Sequence, residues 1–206
     1  MKVSLINYPV YLDLCQDAAA ICTNAKNKAK AFAQAVASGH NSILEHASFT
    51  FRVEGVSRVL LAQITRHRLA SFSVESQRYC GANLDMIVPE SMARADLVDD
   101  MIEVKKAVKA LYDKALSLGV PEEDARYFTL QGGLTNLLVT MNARELHHFF
   151  SLRCCNRAQW EIRDLADMML ALCQNRFPEY FQNAGPGCVR GSCPEARPCG
   201  HPRVKA

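Results

Sequence analysis

The sequence predicts a single α+β domain in which a mixed or antiparallel sheet is flanked by helices. Strand patterns occur early and again late in the chain, and helical patterns separate them without the regular alternation of a parallel βαβ protein. The length of 206 residues lies near the top of the single-domain range and permits one sizeable core. A hydrophobic content of 49% and a charged content of 22% are typical of a soluble globular protein.

Four segments have the composition of β-strands. Residues 2–8 are mostly apolar and precede a proline, and residues 48–54 alternate between apolar and polar side chains. Residues 85–88 form a short run before a second proline, and residues 134–141 are apolar and compatible with a strand. The alternation in 48–54 predicts a half-buried strand, because successive side chains of a strand point to opposite faces.

The remaining long patterns are helical. Alanine-rich composition, a 3.6-residue apolar period, capping residues and terminating glycine or proline mark their limits. Pro121 stands at the predicted first position of a helix whose first turn is rich in acidic residues. Asn142 is a candidate N-terminal cap. The predicted helices are 12–20, 25–37, 56–66, 96–118, one from Pro121 that carries Arg126, one from the Asn142 cap to Arg153, and 157–177.

Residues 1–184 are predicted to form the domain, and residues 185–206 an irregular tail rich in cysteine, glycine and proline. The N-terminus lacks the features of a signal peptide, and no apolar run approaches the roughly 18 residues of a membrane span. We therefore expect a cytoplasmic protein without a membrane partner, whose nine cysteines are reduced thiols. The formal net charge of +3 is too small to predict nucleic-acid binding by itself.

Positive charge is concentrated in residues 66–78, which read RHRLASFSVESQR and contain three arginines, one histidine and three serines. Arginine presents a planar fork of donors that matches phosphate and carboxylate oxygens, and serine hydroxyls add short donors. The segment therefore predicts a site for a phosphate-bearing ligand. A solvated basic loop is the alternative that composition alone leaves open.

The predicted helix that ends at Arg153 carries polar residues on two faces. Arg144 and His148 are four apart and share one face, whereas Asn142 and Arg153 lie together on roughly the opposite face. One protomer cannot easily direct both faces at one pocket, so we expect an oligomer whose sites lie between subunits. Ordinary amphipathicity with exposed polar residues is the alternative.

The order Arg-His-Arg, two residues, Ser, four residues, Ser, one residue, Arg in 66–78 resembles the motif of the flavin-dependent thymidylate synthases. The resemblance extends from the Leu-Glu-His sequence at 44–46 through Arg153, and the helix after it is similar as well. It implies a homotetramer that binds flavin adenine dinucleotide (FAD) at sites shared between subunits, with deoxyuridine monophosphate (dUMP) stacked near the flavin ring.

Motif matching to that family assigns two sets of site residues. The resemblance implies flavin contacts for His46, Ser48, Arg66, His67, Arg68, Val74, Asn142, Ala143, Arg144 and His148. It implies dUMP contacts for Gln63, Ile64, Thr65, Arg66, Val74, Glu75, Ser76, Gln77, Arg78, Arg126 and Arg153. The family usually carries Glu or Gln where this chain has Val74, so only the backbone of Val74 can serve there.

The implied reaction is reductive methylation of dUMP to thymidylate. Methylenetetrahydrofolate would supply the carbon, and FAD reduced by a nicotinamide cofactor, usually NADPH in the family, would supply hydride. Arg153 is the predicted catalytic residue, because a fixed guanidinium can stabilise negative charge that develops on the uracil ring. The family uses no cysteine nucleophile, and the neighbouring Cys154 and Cys155 are interpreted as small packed residues.

The sequence gives little support to two other kinds of site. The glycines near residue 185 have the wrong spacing and context for a dinucleotide-binding fingerprint, and Glu145 with His148 makes one Glu-x-x-His where a di-iron bundle needs two. We predict no metal, although Cys188, Cys193, Cys199 and His201 could serve as zinc ligands. A nucleic-acid-binding module and a non-enzymatic flavin- or nucleotide-sensing relative remain the alternatives, and we predict no nucleic-acid partner.

Overall fold

A computed structural model describes residues 1–11 and 13–203. In that part of the chain, four antiparallel strands form one sheet in the order β1-β2-β4-β3. The strands are β1 (Lys2–Asn7), β2 (Ser48–Ser57), β3 (Ala70–Val74) and β4 (Leu134–Asn142). The predicted α+β class is confirmed, and of the two predicted sheet types, mixed or antiparallel, the structure has the antiparallel one.

The described chain divides into two compact units, each assembled from separate stretches of sequence. Unit 1 comprises Met1–Lys2, Val53–Arg66 and Ser73–Leu137, and unit 2 holds the rest of the described residues. Unit 1 contains α3 (Arg58–Ile64), α4 (Glu90–Arg94), α5 (Val98–Ser117), α6 (Glu122–Ala125) and the 3₁₀ turn Arg126–Phe128. Unit 2 contains α1 (Leu14–Thr23), α2 (Lys28–Ala37), α7 (Ala143–Arg153), α8 (Trp160–Arg176), α9 (Pro178–Phe181) and the 3₁₀ turns Asn41–His46 and Gly187–Val189.

Capping side chains set where several helices begin. Asn27, Ser57 and Asn142 each accept a hydrogen bond from a backbone N–H in the first turn of α2, α3 and α7, at 2.9–3.0 Å. Such caps satisfy N–H groups that have no partner inside the helix. Because Ser57 is the cap, β2 runs to residue 57 and α3 begins two residues later than the predicted start at 56.

Two predictions about individual segments are wrong or incomplete, and one short strand is absent from the predictions. The strand predicted at 85–88 is reduced to one isolated antiparallel bridge between Met86 and Gly133. Strand β3 lies inside the basic motif, where Phe72 is half-buried and Ser71 and Ser73 are exposed, so the period of two was present but short. The predicted helix 12–20 begins at Leu14 in the structure, and its first position, Leu12, lies outside the described residues.

Each unit has its own packed apolar residues. In unit 1, Tyr112 and Ala115 of α5 pack with Ala125 of α6. In unit 2 the alternation of β2 is confirmed, since Phe49 and Phe51 are fully buried while Ser48 and Arg52 are exposed. The largest buried side chains of unit 2 are aromatic: Phe49, Phe51, Phe149, Phe150, Phe177 and Phe181.

Candidate active site

Helix α7 and its capping residue supply five of the nine predicted site residues that lie in unit 2. The Asn142 side chain caps its N-terminus by accepting from the Glu145 N–H at 2.9 Å. The Ala143 N–H donates to the Ala47 carbonyl at 2.7 Å, which fixes the backbone between His46 and Ser48 beside the start of the helix. The structure therefore brings His46, Ser48, Asn142, Ala143 and Arg144 of the predicted flavin set into one region.

Three side chains of unit 2 form a hydrogen-bonded chain. His67 Nδ1 lies 2.9 Å from Glu145 Oε1, and Arg153 Nε donates to His67 Nε2 at 3.1 Å. An arginine Nε–H can only donate, so Nε2 must be the acceptor of a neutral imidazole. His67 is therefore the Nδ1–H tautomer, and it donates that hydrogen to Glu145.

Burial keeps His67 neutral. The side chain is 4% exposed and Glu145 is 5% exposed. Loss of hydration lowers the pKa of His67, and the charge of Arg153 lowers it further, while the hydrogen bond that His67 donates to Glu145 acts in the opposite direction. The ring packs edge-on against Phe149, with centroids 5.0 Å apart.

His67, Glu145 and His148 also lie close enough together to share a metal ion. Their ligand atoms lie within 4.8 Å of one another. However, both ring nitrogens of His67 already have partners, and the Arg153 guanidinium beside it opposes a cation. Within the described residues, the tail cysteines and His201 do not form a comparable group, so their positions give the zinc alternative no support.

The expectation that one protomer does not direct both faces of α7 at one pocket stays a prediction, since His148 lines one cavity of unit 2 and Arg153 lines another. Both side chains nevertheless approach one imidazole. Arg153 contacts His67, and the His148 ring lies 5.7 Å from the same imidazole. Glu145, Phe149 and Arg153 follow one another at four-residue intervals, which places them in one stripe along the helix. The long arginine side chain then reaches the imidazole from the last turn.

Unit 1 contains a second group of predicted site residues. Arg78 Nε donates to Glu123 Oε2 at 2.7 Å, and Arg126 Nε donates to the Glu123 carbonyl at 2.9 Å. Two predicted dUMP contacts thus meet at one residue that the sequence did not single out. Glu123 had been noted only as part of an acidic first turn, which is ordinary at a helix N-terminus.

A hydrogen-bonded network holds Glu75 in place in unit 1. Its carboxylate accepts from Asn136 Nδ2 at 3.0 Å, its N–H donates to the Asn136 carbonyl at 3.0 Å, and its own carbonyl accepts from Arg58 Nη2 at 3.2 Å. Sequence reasoning missed Arg58 and Asn136, because neither lies in the basic motif. The neighbouring Val74 is half-buried in β3.

The other predicted residues of the motif, and those just before it, differ in how exposed they are. Arg66 and Arg68 are exposed, whereas Gln63, Ser76 and Gln77 are half-buried. Ile64 is buried at the end of α3, and Thr65 donates its hydroxyl hydrogen to the Leu61 carbonyl at 2.9 Å. Ile64 could therefore serve a ligand only through its backbone, whereas the exposed Thr65 hydroxyl can still accept a hydrogen bond.

A cavity of about 1100 Å³ in unit 2 is lined by residues from α2, α7 and the segment after α9. Arg144 and His148 are among its lining residues, and so is Arg190. Arg144 also makes an ion pair with Glu45 of the Leu-Glu-His segment. The volume lies slightly above the usual range of about 300–1,000 Å³ for ligand pockets, and the two arginines suit an anionic ligand.

Lowering the pH below 6.5 is expected to destabilise the protein. Burial lowers the pKa values of His67 and His147, and His147 Nε2 pairs with the Tyr180 carbonyl at 2.8 Å. The unfolded chain takes up protons near pH 6.5 before the folded protein does, so these groups contribute stability that is complete above 6.5 and decreases as the pH falls. The free energy of unfolding should fall with a slope approaching about 1.4 kcal/mol per pH unit for each histidine.

Urea unfolding between pH 7.5 and 5.5 measures this slope. The variant His147→Gln keeps an amide donor for the Tyr180 carbonyl but cannot titrate, so its slope should be about half that of the wild type for these two groups. A wild-type free energy of unfolding that stays constant over this interval would contradict the neutral buried state of both histidines.

Comparison with solved structures identifies the fold. The methylase described as "UMP/dUMP methylase PolB" from Streptomyces cacaoi aligns with a TM-score of 0.79 at 24% identity, over 89% of this chain and 95% of that one. The flavin-dependent thymidylate synthase of Helicobacter pylori, solved with FAD and dUMP, aligns with a TM-score of 0.73 at 25% identity, over 90% and 100%. The fold is thus one that pyrimidine-nucleotide methylases share.

Sequence comparison narrows this class to a family. Residues 4–179 match the family model described as "Thymidylate synthase complementing protein". The flavin-dependent thymidylate synthase of Geobacter sulfurreducens is 49% identical over 161 residues, or 76% of this chain and 69% of that protein. The enzyme of Nitratidesulfovibrio vulgaris is 47% identical over 169 residues, or 77% and 69%. The chain belongs to the flavin-dependent thymidylate synthase family.

The expected resemblance is therefore confirmed. No helix in the described residues combines the length and the hydropathy that crossing a membrane requires.

Proposed function

We propose that this chain is a FAD-dependent thymidylate synthase that converts dUMP to thymidylate. Methylenetetrahydrofolate supplies the one-carbon unit, and NADPH reduces the flavin. The observation that carries the proposal is the fixed Arg153 guanidinium at the end of α7, held by a neutral histidine in a chain of this family.

The residues of unit 2 fit a flavin dinucleotide. The cavity of about 1100 Å³ presents Arg144 and His148, and Arg190 adds a third donor on its wall. Arginine donors suit a pyrophosphate, because their planar forks match its oxygens. When bound and reduced, FAD supplies the hydride of the reaction. Arg144 and His148 would hold it, with His46, Ser48 and the backbone at Asn142 and Ala143.

Arg153 would act on the uracil ring. C5 of uracil is a weak nucleophile until negative charge develops in the ring, at N3 and at O2 or O4. A guanidinium already fixed by His67 stabilises that charge without reorganising, which lowers the barrier to attack on the carbon donor. This is the catalytic role that the structure's hydrogen bonding supports.

The phosphate of dUMP would be bound by arginines of unit 1. Arg78 is paired with Glu123 through half-exposed side chains, and such an ion pair contributes little free energy. A phosphate dianion accepts charge-assisted hydrogen bonds in a bidentate geometry, so it can replace the Glu123 carboxylate on Arg78. Arg126 is anchored to the Glu123 backbone and would remain in position during this exchange.

Cys154 is unsuited to act as a nucleophile. Its side chain is 1% exposed, and burial, together with the nearby Asp167 carboxylate, raises the pKa of the thiol far above its usual range. Because the thiolate is the nucleophilic form, a buried neutral thiol beside Arg153 supports a mechanism without covalent enzyme–nucleotide attachment.

The visible spectrum and a turnover assay together test the proposed function. Purified protein should be yellow, should bleach on reduction with NADPH, and should release tritium from C5-labelled dUMP when methylenetetrahydrofolate is present. Colourless protein whose binding to nucleic acid falls steeply with salt would instead support the nucleic-acid-binding module. A yellow protein that binds dUMP but releases no tritium would support the sensing relative.

The assembly implied by the family is a homotetramer with shared flavin sites. Analytical ultracentrifugation of the flavin-bound protein should give the mass of four chains. A monomer that binds FAD and dUMP stoichiometrically would contradict the shared sites.

A further inference from the structure

Glu145 and His67 form a buried hydrogen-bonded pair, and Arg153 donates to the other side of the His67 ring. The resemblance implies that His67 contacts flavin, but both of its ring nitrogens are engaged inside the protein, one by Glu145 at 2.9 Å and one by Arg153 at 3.1 Å. A ring nitrogen can make one strong in-plane hydrogen bond, so neither is available to a ligand. The structure thus gives this histidine of the motif a different task.

We infer that Glu145 and His67 are positioning residues that set the orientation of the Arg153 guanidinium. The inference rests on the proposed function, in which Arg153 is the catalytic residue. Glu145 selects the Nδ1–H tautomer of His67, and that tautomer leaves a lone pair on Nε2 to accept from Arg153 Nε. Since the guanidinium is planar, a directional bond at Nε restrains the plane in which its other donors lie.

The surroundings of the pair suit this task. Glu145 and Arg153 are eight residues apart on α7, and Phe149 lies between them in the same stripe and packs edge-on against the imidazole. His67 and Glu145 are 4% and 5% exposed, so water does not compete for their hydrogen bond. The Glu145 N–H is itself capped by Asn142, which fixes the backbone that carries the carboxyl group.

The tautomer determines whether His67 Nε2 can accept the hydrogen bond from Arg153 Nε. In the Nε2–H tautomer, the imidazole would present a hydrogen to a guanidinium that offers only hydrogens, and the contact would become repulsive. A protonated imidazole would have the same effect and would add a like charge. Glu145 therefore acts on Arg153 indirectly: by accepting from His67 Nδ1–H, it leaves Nε2 without a hydrogen and able to accept from Arg153.

Two variants of Glu145 separate this role from simple packing. Glu145→Gln retains an oxygen that can accept from Nδ1–H, whereas Glu145→Leu is similar in size and cannot accept. Glu145→Leu should lower the rate of tritium release from C5-labelled dUMP by roughly 10- to 100-fold, by analogy with the loss of groups that orient metal-binding side chains. Glu145→Gln should recover most of that rate.

Imidazole nitrogen NMR gives a readout that does not depend on turnover. With ¹⁵N-labelled histidine, and with His67→Gln to assign the signal, the wild type and Glu145→Gln should show the neutral Nδ1–H tautomer at His67. Glu145→Leu should shift His67 toward the Nε2–H form. His147→Leu is the matched control, since it removes another, partly buried hydrogen bond of α7 and should lower stability without changing the His67 tautomer.

The outcomes separate the two claims. An Nε2–H tautomer of His67 in the wild type would overturn the inference even if Glu145→Leu did not fold, and so would full activity of a folded Glu145→Leu. If the wild type released no tritium, the proposed function would fail, and the tautomers of the wild type and the variants would still decide whether Glu145 controls His67.

Discussion

Replacing Arg153 with alanine is expected to lower the rate of thymidylate formation by about 10²- to 10³-fold. The guanidinium is the cationic group that the Glu145–His67 pair holds at the end of α7. Its charge matters most when negative charge develops on the uracil ring, so the rate should fall much more than the affinity for dUMP. Single-turnover tritium release measures the rate, and a binding titration measures the affinity.

Two variants serve as controls for this result. Arg153→Lys keeps the charge but lacks the planar fork and the Nε donor, so it should recover only a small part of the rate. Arg176→Ala removes an arginine of the same unit whose guanidinium stacks on Tyr8, and it should leave the rate unchanged. If Arg153→Ala retained the wild-type rate while binding flavin normally, the electrostatic account of uracil activation would be wrong.

Local sequence rules predicted those parts of the fold that depend on nearby residues. The alternation in 48–54 identified the half-buried part of β2, and Asn142 was recognised as the cap of α7. The segment 85–88 has strand composition, yet it forms only the bridge at Met86, because a strand also requires a partner of matching length. Strand β3 was missed because its five residues are too few for an alternation of two to stand out within the charged segment 66–78.

Prediction of the site met a similar limit. The motif identified Arg78, and the family resemblance added Arg126. Their shared contact with Glu123 could not be predicted, because Arg78 and Glu123 are 45 residues apart in the sequence. The four-residue stripe of Glu145, Phe149 and Arg153 was visible in the sequence. Its meaning was not, because the stripe converges on His67, which is 78 residues away from Glu145. Tertiary structure brings these groups together, and helical periodicity alone cannot identify their partner.

The aromatic cluster of unit 2 stabilises the helix that carries the site. Phe181 is fully buried, and its ring contacts Phe49 at 5.3 Å, Phe150 at 6.1 Å and the stacked imidazole of His147 at 5.4 Å. It therefore links α9 with β2 and α7. Phe181→Ala removes a large side chain from a close-packed environment and should lower the free energy of unfolding by about 3–5 kcal/mol.

Urea unfolding at pH 7.5, followed by far-ultraviolet circular dichroism, measures this loss as a lower midpoint. The slope with urea should be unchanged if the variant unfolds from the same compact state. Phe128→Ala is the matched control, because Phe128 is 43% exposed in unit 1 and its removal should cost no more than about 0.5 kcal/mol. Equal midpoints for the two variants would show that the Phe181 contacts do not hold α7, since a ring that packs α7 against its neighbours must contribute more than an exposed one.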